Sequence, residues 1–346
     1  MQPSRRSVPK SGLAAIFILM SGMVLAQTQS ASAPVQATSP QVVFVAPRDP
    51  PVPLLWKVSD ADSAVYLLGS FHLLKPDDYP LSTDVNNAFA IAPKLIFELP
   101  PEEMNSPQLG LQMMQAAVRT DGTGLDSELP PTTIEKLKAW QVVNSGGLQN
   151  AGLGPERMQM FEPWFVGLLI SLTEMGKQGF DPKLGLDQHF IDAAAHAGKP
   201  TGGFESGAQQ IALLDGMSKD EQLQFIDEAL SQTADGELDK LHNEWRDGDV
   251  AAIWNDMAAD MRGRYPKLYQ HINVERNDAW VPKIEQLLAA PGTDDTLVVV
   301  GALHLLGGDG VVEKLRAKGF TVERICSACK PAMLQRQPGT AETQWP

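Results

Sequence analysis

Thr296-Leu297-Val298-Val299-Val300-Gly301-Ala302-Leu303-His304 is the stretch from which the fold class follows. Its leucine and valine run shows no polar alternation, the pattern of a strand covered on both faces. Gly307-Gly308-Asp309-Gly310 then makes a turn. Residues 311–318 repeat apolar positions at helical spacing up to Gly319, and residues 320–325 form another strand. A strand-helix-strand unit crosses over right-handed into a parallel pair, so these two strands are expected side by side.

The same pattern appears near the other end of the chain. Ala64-Val65-Tyr66-Leu67-Leu68-Gly69-Ser70-Phe71-His72 is an apolar run ending in glycine and histidine. Before it, residues 54–58 and the turn residues 59–63 predict a hairpin that feeds the sheet. Two shorter strands are expected at 94–98 and 199–205. Between the terminal strands lie helical stretches near 107–119, 132–143, 161–175, 186–197, 219–232, 236–246, 250–261 and 265–286. The class that fits is α/β, with a central mixed β-sheet built from N- and C-terminal strands and a large helical middle segment.

The first residues read as an export signal. Arg5, Arg6 and Lys10 precede an uncharged apolar run, Leu13 to Leu25, and small residues at Val24-Leu25-Ala26 suit signal cleavage. Residues 1–26 are therefore expected to be a signal peptide, and the protein periplasmic or secreted. Arg5-Arg6 also fits a twin-arginine signal, with Val8 and Pro9 in place of the usual Phe-Leu. No cysteine follows the run, so lipidation there is excluded, and no permanent membrane anchor is expected after cleavage. Residues 27–53, rich in Gln, Ser, Ala, Thr and Pro, are expected to be a flexible linker, because such a composition buries little apolar surface. The folded domain is then 54–325 and the tail 326–346.

Net charge is −14, and it becomes −17 once Arg5, Arg6 and Lys10 are removed (−14 less 3). That sign repels phosphate backbones and anionic membrane surfaces, so nucleic acid is not an expected partner. The two cysteines, Cys326 and Cys329, form a Cys-x-x-Cys after the last strand. One pair cannot complete a zinc site, and a small local disulfide is expected in an oxidising compartment.

His72, Glu98, Glu205 and His304 each fall at or just past the carboxyl end of an expected strand, where α/β sheets bind ligands. A lone histidine in that place is ordinarily a structural residue. Two in a shared Gly-x-x-His-Leu-Leu setting, among six histidines in all, favour a functional pair. Glu98 is also unusual, because it closes the apolar segment Leu95-Ile96-Phe97. Two chemistries stand open. Imidazole and carboxylate together hold a divalent metal that activates water; alternatively, a histidine beside a carboxylate acts as general base without metal. Arg276-Asn277 lies on the helix before residue 296, where a guanidinium can bind a carboxylate or a developing oxyanion.

Taken together, these residues resemble the TraB/GumN family. The resemblance is carried by the two Gly-x-x-His motifs, the Phe97-Glu98-Leu99 strand end, Gly203-Phe204-Glu205 with Gln209, Arg276-Asn277 with Trp280, and the closing Gly301-Ala302-Leu303-His304 segment. That family includes the Tiki proteins, which are metalloproteases, and is distantly similar to erythromycin esterases and ChaN-like proteins. The resemblance implies a metal-dependent, peptidase-like hydrolase, which the N-terminal signal would export. His72, Glu98, His304, Arg276 and Asn277 would be catalytic, and a divalent ion (Mn, Co or Zn) would sit on His72, Glu98, His304 and Glu205. The substrate would be a peptide or small molecule. The alternative is a non-catalytic periplasmic module that sequesters such a ligand.

Overall fold

The computed structural model describes residues 48–231 and 237–329. The expected signal peptide, the linker up to residue 47 and the tail from residue 330 lie outside the described residues.

Six strands form one sheet: β1 (Leu55–Ser59), β2 (Ala64–Ser70), β3 (Lys94–Phe97), β4 (Thr201–Gly203), β5 (Thr296–Gly301) and β6 (Thr321–Arg324). Their spatial order is β4-β3-β5-β2-β1-β6. Every residue of β2 and β5 is buried, as unbroken apolar runs require. β5 lies between β3 and β2 and runs parallel to both. β1 folds back on β2 through the 59–63 turn, where the Asp60 carboxylate accepts the Ser63 backbone N–H at 2.8 Å. Asp295 accepts the Ala64 N–H at 2.8 Å, which ties the start of β2 to the start of β5. The mixed sheet is thus drawn from both ends of the chain, as expected.

One expectation of the C-terminal unit fails. β6 does not pair with β5; it pairs antiparallel with β1, and the β1–β2 hairpin stands between the two strands. β5 already has β2 on one side and β3 on the other, so both its hydrogen-bonding edges are taken before β6 arrives.

Helices fill the rest. The principal ones are α1 (Thr83–Ile91), α2 (Pro107–Ala116), α3 (Pro131–Val143), α4 (Pro163–Lys177), α5 (Leu186–Ala197), α6 (Gly207–Asp215), α7 (Lys219–Ser231), α8 (Glu237–Asp247), α9 (Glu275–Leu288), α10 (Ala302–Leu305) and α11 (Val311–Ala317). α4 and α7 pack closely at Gly167, where a Cβ would lie 2.7 Å from the Phe225 ring. The long helices expected near 250–261 and 265–286 are interrupted. Wide π turns occupy Trp254–Ala259 and Gln270–Val274, and the second runs straight into α9. Such turns are rare and often sit at functional sites.

Two features brace the end of β2. Asp78, fully buried, accepts from His242 Nε2 at 2.9 Å, from Arg246, and from the Lys75 backbone N–H at 2.7 Å. This pins the loop after β2 to α8, and His242 is buried in the core. Arg246 also donates to the Asp49 carbonyl and offers its own carbonyl to Val52 N–H, both at 2.7 Å, so the packed chain begins ahead of Leu54. At the far edge Cys326 and Cys329 are joined in a disulfide. Ser327 between them donates its N–H and hydroxyl to Asp84 in the first turn of α1, at 2.6 and 2.7 Å. Among the described residues no helix is long and apolar enough to cross a membrane.

Candidate functional site

β2, β3 and β5 are parallel neighbours, so their carboxyl ends open on one rim of the sheet. His72 follows β2 by two residues, Glu98 follows β3 directly, and His304 sits in the single-turn α10 that leaves β5. The bond Glu205 N–H to Glu98 carbonyl, 2.8 Å, brings the end of β4 to the same rim. All four expected residues therefore meet. Arg276 and Asn277, in the first turn of α9, point in from above.

Arg276 is the hub. Its Nε and Nη2 grip the two oxygens of Glu205, both at 2.8 Å, a bidentate pairing that fixes the guanidinium plane. Nη2 also donates to Glu98 Oε2 at 2.6 Å, and Nη1 donates to His304 Nε2 at 3.0 Å. Glu98 completes its bonding through Oε1, which accepts the Gly301 N–H at 2.8 Å. The Trp280 indole N–H donates to Glu205 Oε1 at 2.9 Å, and its ring lies 4.8 Å from the guanidinium carbon and 4.3 Å from the His304 ring. Phe204 stacks on the Trp280 ring at 5.4 Å.

These bonds set the tautomers. Arg276 has only donors, so His304 Nε2 must present its lone pair. Its Nδ1 is then the protonated nitrogen, donating to Asn277 Oδ1 at 2.6 Å, while Asn277 Nδ2 donates to the Asp309 carbonyl at 2.8 Å. Burial, the Arg276 charge and the His72 charge hold His304 well below the ordinary imidazole pKa, so it is neutral. His72 is the opposite case. Burial disfavours its charge, but Asp187 2.7 Å from Nδ1, and Glu98 beyond, outweigh burial and raise its pKa. Burial also raises Glu98, against the pull of Arg276 and His72.

Asp187 was not singled out by the sequence, where residues 186–197 read only as a helix. The chain is shaped to bring it in. The Leu186 N–H donates to the Phe71 carbonyl, and a Cβ at Gly185 would come within 1.9 Å of the His72 carbonyl. Only glycine lets the start of α5 approach the His72 loop so closely. A glycine followed within two residues by an acid in a first helical turn was the available signal.

The donors expected to hold a metal are engaged by a cation of the chain itself. Among the described residues no group of three or more His, Cys, Asp or Glu is arranged to hold a metal ion. The physical reason is Arg276. The lone pair of His304 Nε2, one oxygen of Glu98 and both oxygens of Glu205 are already directed at one guanidinium. His72 and His304 Nε2 stand 3.8 and 3.9 Å from Glu98 Oε1, around the point where a Cβ on Gly301 would lie. The cation that His304 and Glu98 share in this arrangement is the Arg276 guanidinium.

A model of the TraB/PrgY/gumN family matches residues 54–324, most of the chain. The chain belongs to that family. No curated protein and no solved structure matches it. For this member of the TraB/PrgY/gumN family, both Gly-x-x-His motifs, Phe97-Glu98, Phe204-Glu205 and Arg276-Asn277 all supply side chains to the one buried cluster. Glu98 and His304 are fully buried, whereas His72, Arg276 and Glu205 retain slight exposure.

Proposed function

We propose that the chain is a hydrolase acting on an acyl bond of a peptide or small molecule, with His72 as the general base. The observation that carries this reading is the Asp187–His72 pair lying next to the Arg276 cation. Asp187 accepts from His72 Nδ1–H and fixes the ring, and in the neutral form of His72 the Nε2 lone pair takes a proton from water. The water oxygen then bonds to the acyl carbon, and negative charge develops on the carbonyl oxygen. Arg276, held rigid by Glu98 and Glu205, is the cation available to stabilise that oxygen. The proton held at His72 passes to the leaving group as the acyl bond breaks, returning the imidazole to its starting state. His304 and Asn277 orient Arg276 rather than touch the reactant. The divalent ion expected from the sequence does not fit the donor atoms as they are bonded, and the proposed reaction does without it.

We further propose that the protein works outside the cytoplasm. Arg5, Arg6, Lys10 and the apolar run after them support export, and the Cys326–Cys329 disulfide suits an oxidising compartment. N-terminal sequencing that found Met1 on the native protein would overturn this.

The test of the catalytic reading is a panel of fluorogenic peptides and short-chain esters, offered to wild type and His72→Gln. Hydrolysis by wild type that falls by about 100-fold or more in His72→Gln supports it. Equal rates refute the role of His72. Ligand binding without turnover by wild type would favour the sequestering module instead.

A further inference from the structure

We infer that Arg276 is the resident cation of this site, and that its guanidinium competes directly with any divalent ion for Glu98, Glu205 and His304. The inference concerns the same cluster as the hydrolase reading, but it rests on bonding geometry and stands whether or not the protein turns over a substrate.

Three observations carry it. The first is saturation: four N–H groups of Arg276 go to one imidazole nitrogen and three carboxylate oxygens, all within 2.6–3.0 Å. These are the atoms a metal would need, and each lone pair serves one partner at a time. The second is charge. Arg276 pairs with Glu98 and Glu205 at 2.6 and 2.8 Å, and a guanidinium does not lose its proton in a protein, so it stays charged. Its positive charge lies a few ångströms from any ion placed among the donors, and repulsion at that range in a protein interior is large. The third is support. Trp280 faces the guanidinium, donates to Glu205 and packs against His304, so the arginine sits in a built seat.

The space that remains is small. A Cβ on Gly301 would lie 3.1 Å from His72 Nε2 and 3.2 Å from Glu98 Oε1. An ion there could draw on His72 and Glu98, but it would reach His304 Nε2 only if Arg276 let go. Divalent ions thus enter as a full ligand set only when the guanidinium is withdrawn.

The experiment is calorimetric titration of the full-length protein with Mn²⁺ and with Zn²⁺ alone, without substrate. Three proteins are compared: wild type, Arg276→Met, and the double variant Arg276→Met with Glu205→Gln. The double variant removes one cation and one anion together, so it keeps the buried charge balanced if Arg276→Met alone fails to fold. Withdrawing the arginine should tighten binding of one equivalent of metal by roughly 100-fold or more over wild type, in at least one of the two variants. One equivalent bound equally well by wild type and the folded variant overturns the inference, as does the absence of binding in every folded protein. Because no substrate is present, either result leaves the hydrolase reading to be decided by its own assay.

Discussion

Gly301→Ala is the sharpest single perturbation the site allows. The residue sits at φ −50°, ψ 135°, a conformation open to alanine, so the backbone carries no penalty. The added methyl would meet His72 Nε2 at 3.1 Å, Glu98 Oε1 at 3.2 Å and His304 Cδ2 at 3.7 Å. The first two contacts are a few tenths of an ångström too short, and neither neighbour is slack. His72 is held by Asp187, and Glu98 by Arg276 and by the Gly301 N–H itself. Overfilling a packed interior by a methyl costs about 1–3 kcal/mol, and this one lies among buried polar atoms, which favours the upper part of that range. The larger effect should be on chemistry, because misplacing a reacting group by about 1 Å can cost on the order of 100-fold in rate. Gly202→Ala in β4 is the control. Its Cβ would meet only the tip of Ile96 at 3.1 Å, and that side chain can turn away. Urea denaturation and the hydrolysis assay on both variants decide the matter. If Gly301→Ala were as stable as Gly202→Ala and kept its full turnover, the space among His72, Glu98 and His304 would have no role and the assignment of the site would be wrong.

Three further outcomes are expected. Asp187→Asn should lower hydrolysis by about 10²–10⁴-fold with little change in substrate affinity, because the amide can hold His72 in the wrong tautomer; an unaltered rate would remove Asp187 from the mechanism. Asp78→Asn should cost roughly 3–5 kcal/mol in chemical denaturation, since it strips the partner from buried Arg246 and His242. Burial raises the Asp78 pKa, but bonds from His242, Lys75 N–H and Arg246 lower it further, so the folded value lies below the unfolded one. Its contribution is then complete above the ordinary aspartate range and fades as pH falls through the folded value, so wild type and Asp78→Asn should converge in acid; a gap that stays constant to low pH would contradict this. Replacing Cys326 and Cys329 by serine releases only a very short loop in the unfolded chain, so with a separation of 3 residues the loss should not exceed about 2 kcal/mol. Thiol labelling of the denatured native protein should be negligible without reductant, and labelling of both thiols would show the pair to be reduced in its own compartment.

The sheet was legible because β2 and β5 carry it in their composition: a strand buried on both faces has to be apolar throughout, and few other segments of this chain are. Glu98 stood out for the same reason, as a carboxylate at the end of such a run. The position of β6 was not legible. Local sequence specifies a strand after a helix, but whether β5 has a free edge depends on residues more than 200 positions away. The role of Arg276 was half visible. Its residue type allowed either a carboxylate partner or an oxyanion, and only the fold shows it bonded to two carboxylates and a histidine at once. Asp187 was hidden because an acid in a first helical turn is ordinarily explained by the helix dipole. The π turns before α9 left no mark in the periodicity that could be told from an ordinary helix break.

The place of β5 between β2 and β3 also bears on how the molecule comes together. The two strands that carry His72 and Glu98 never touch, and the seam between them is closed by a segment made long after both. β6, later still, is what covers the open side of β1. Contacts joining such distant parts of a chain form slowly, because a long loop must close before they return any stabilisation. Until residues 296–301 arrive, the β1–β2 hairpin and the β3–β4 pair each keep a bare edge, and nothing joins the two pieces of sheet. A chain stopped short of β5 would therefore lose the site as a whole, since the strand that aligns its two halves is also the one that completes the core.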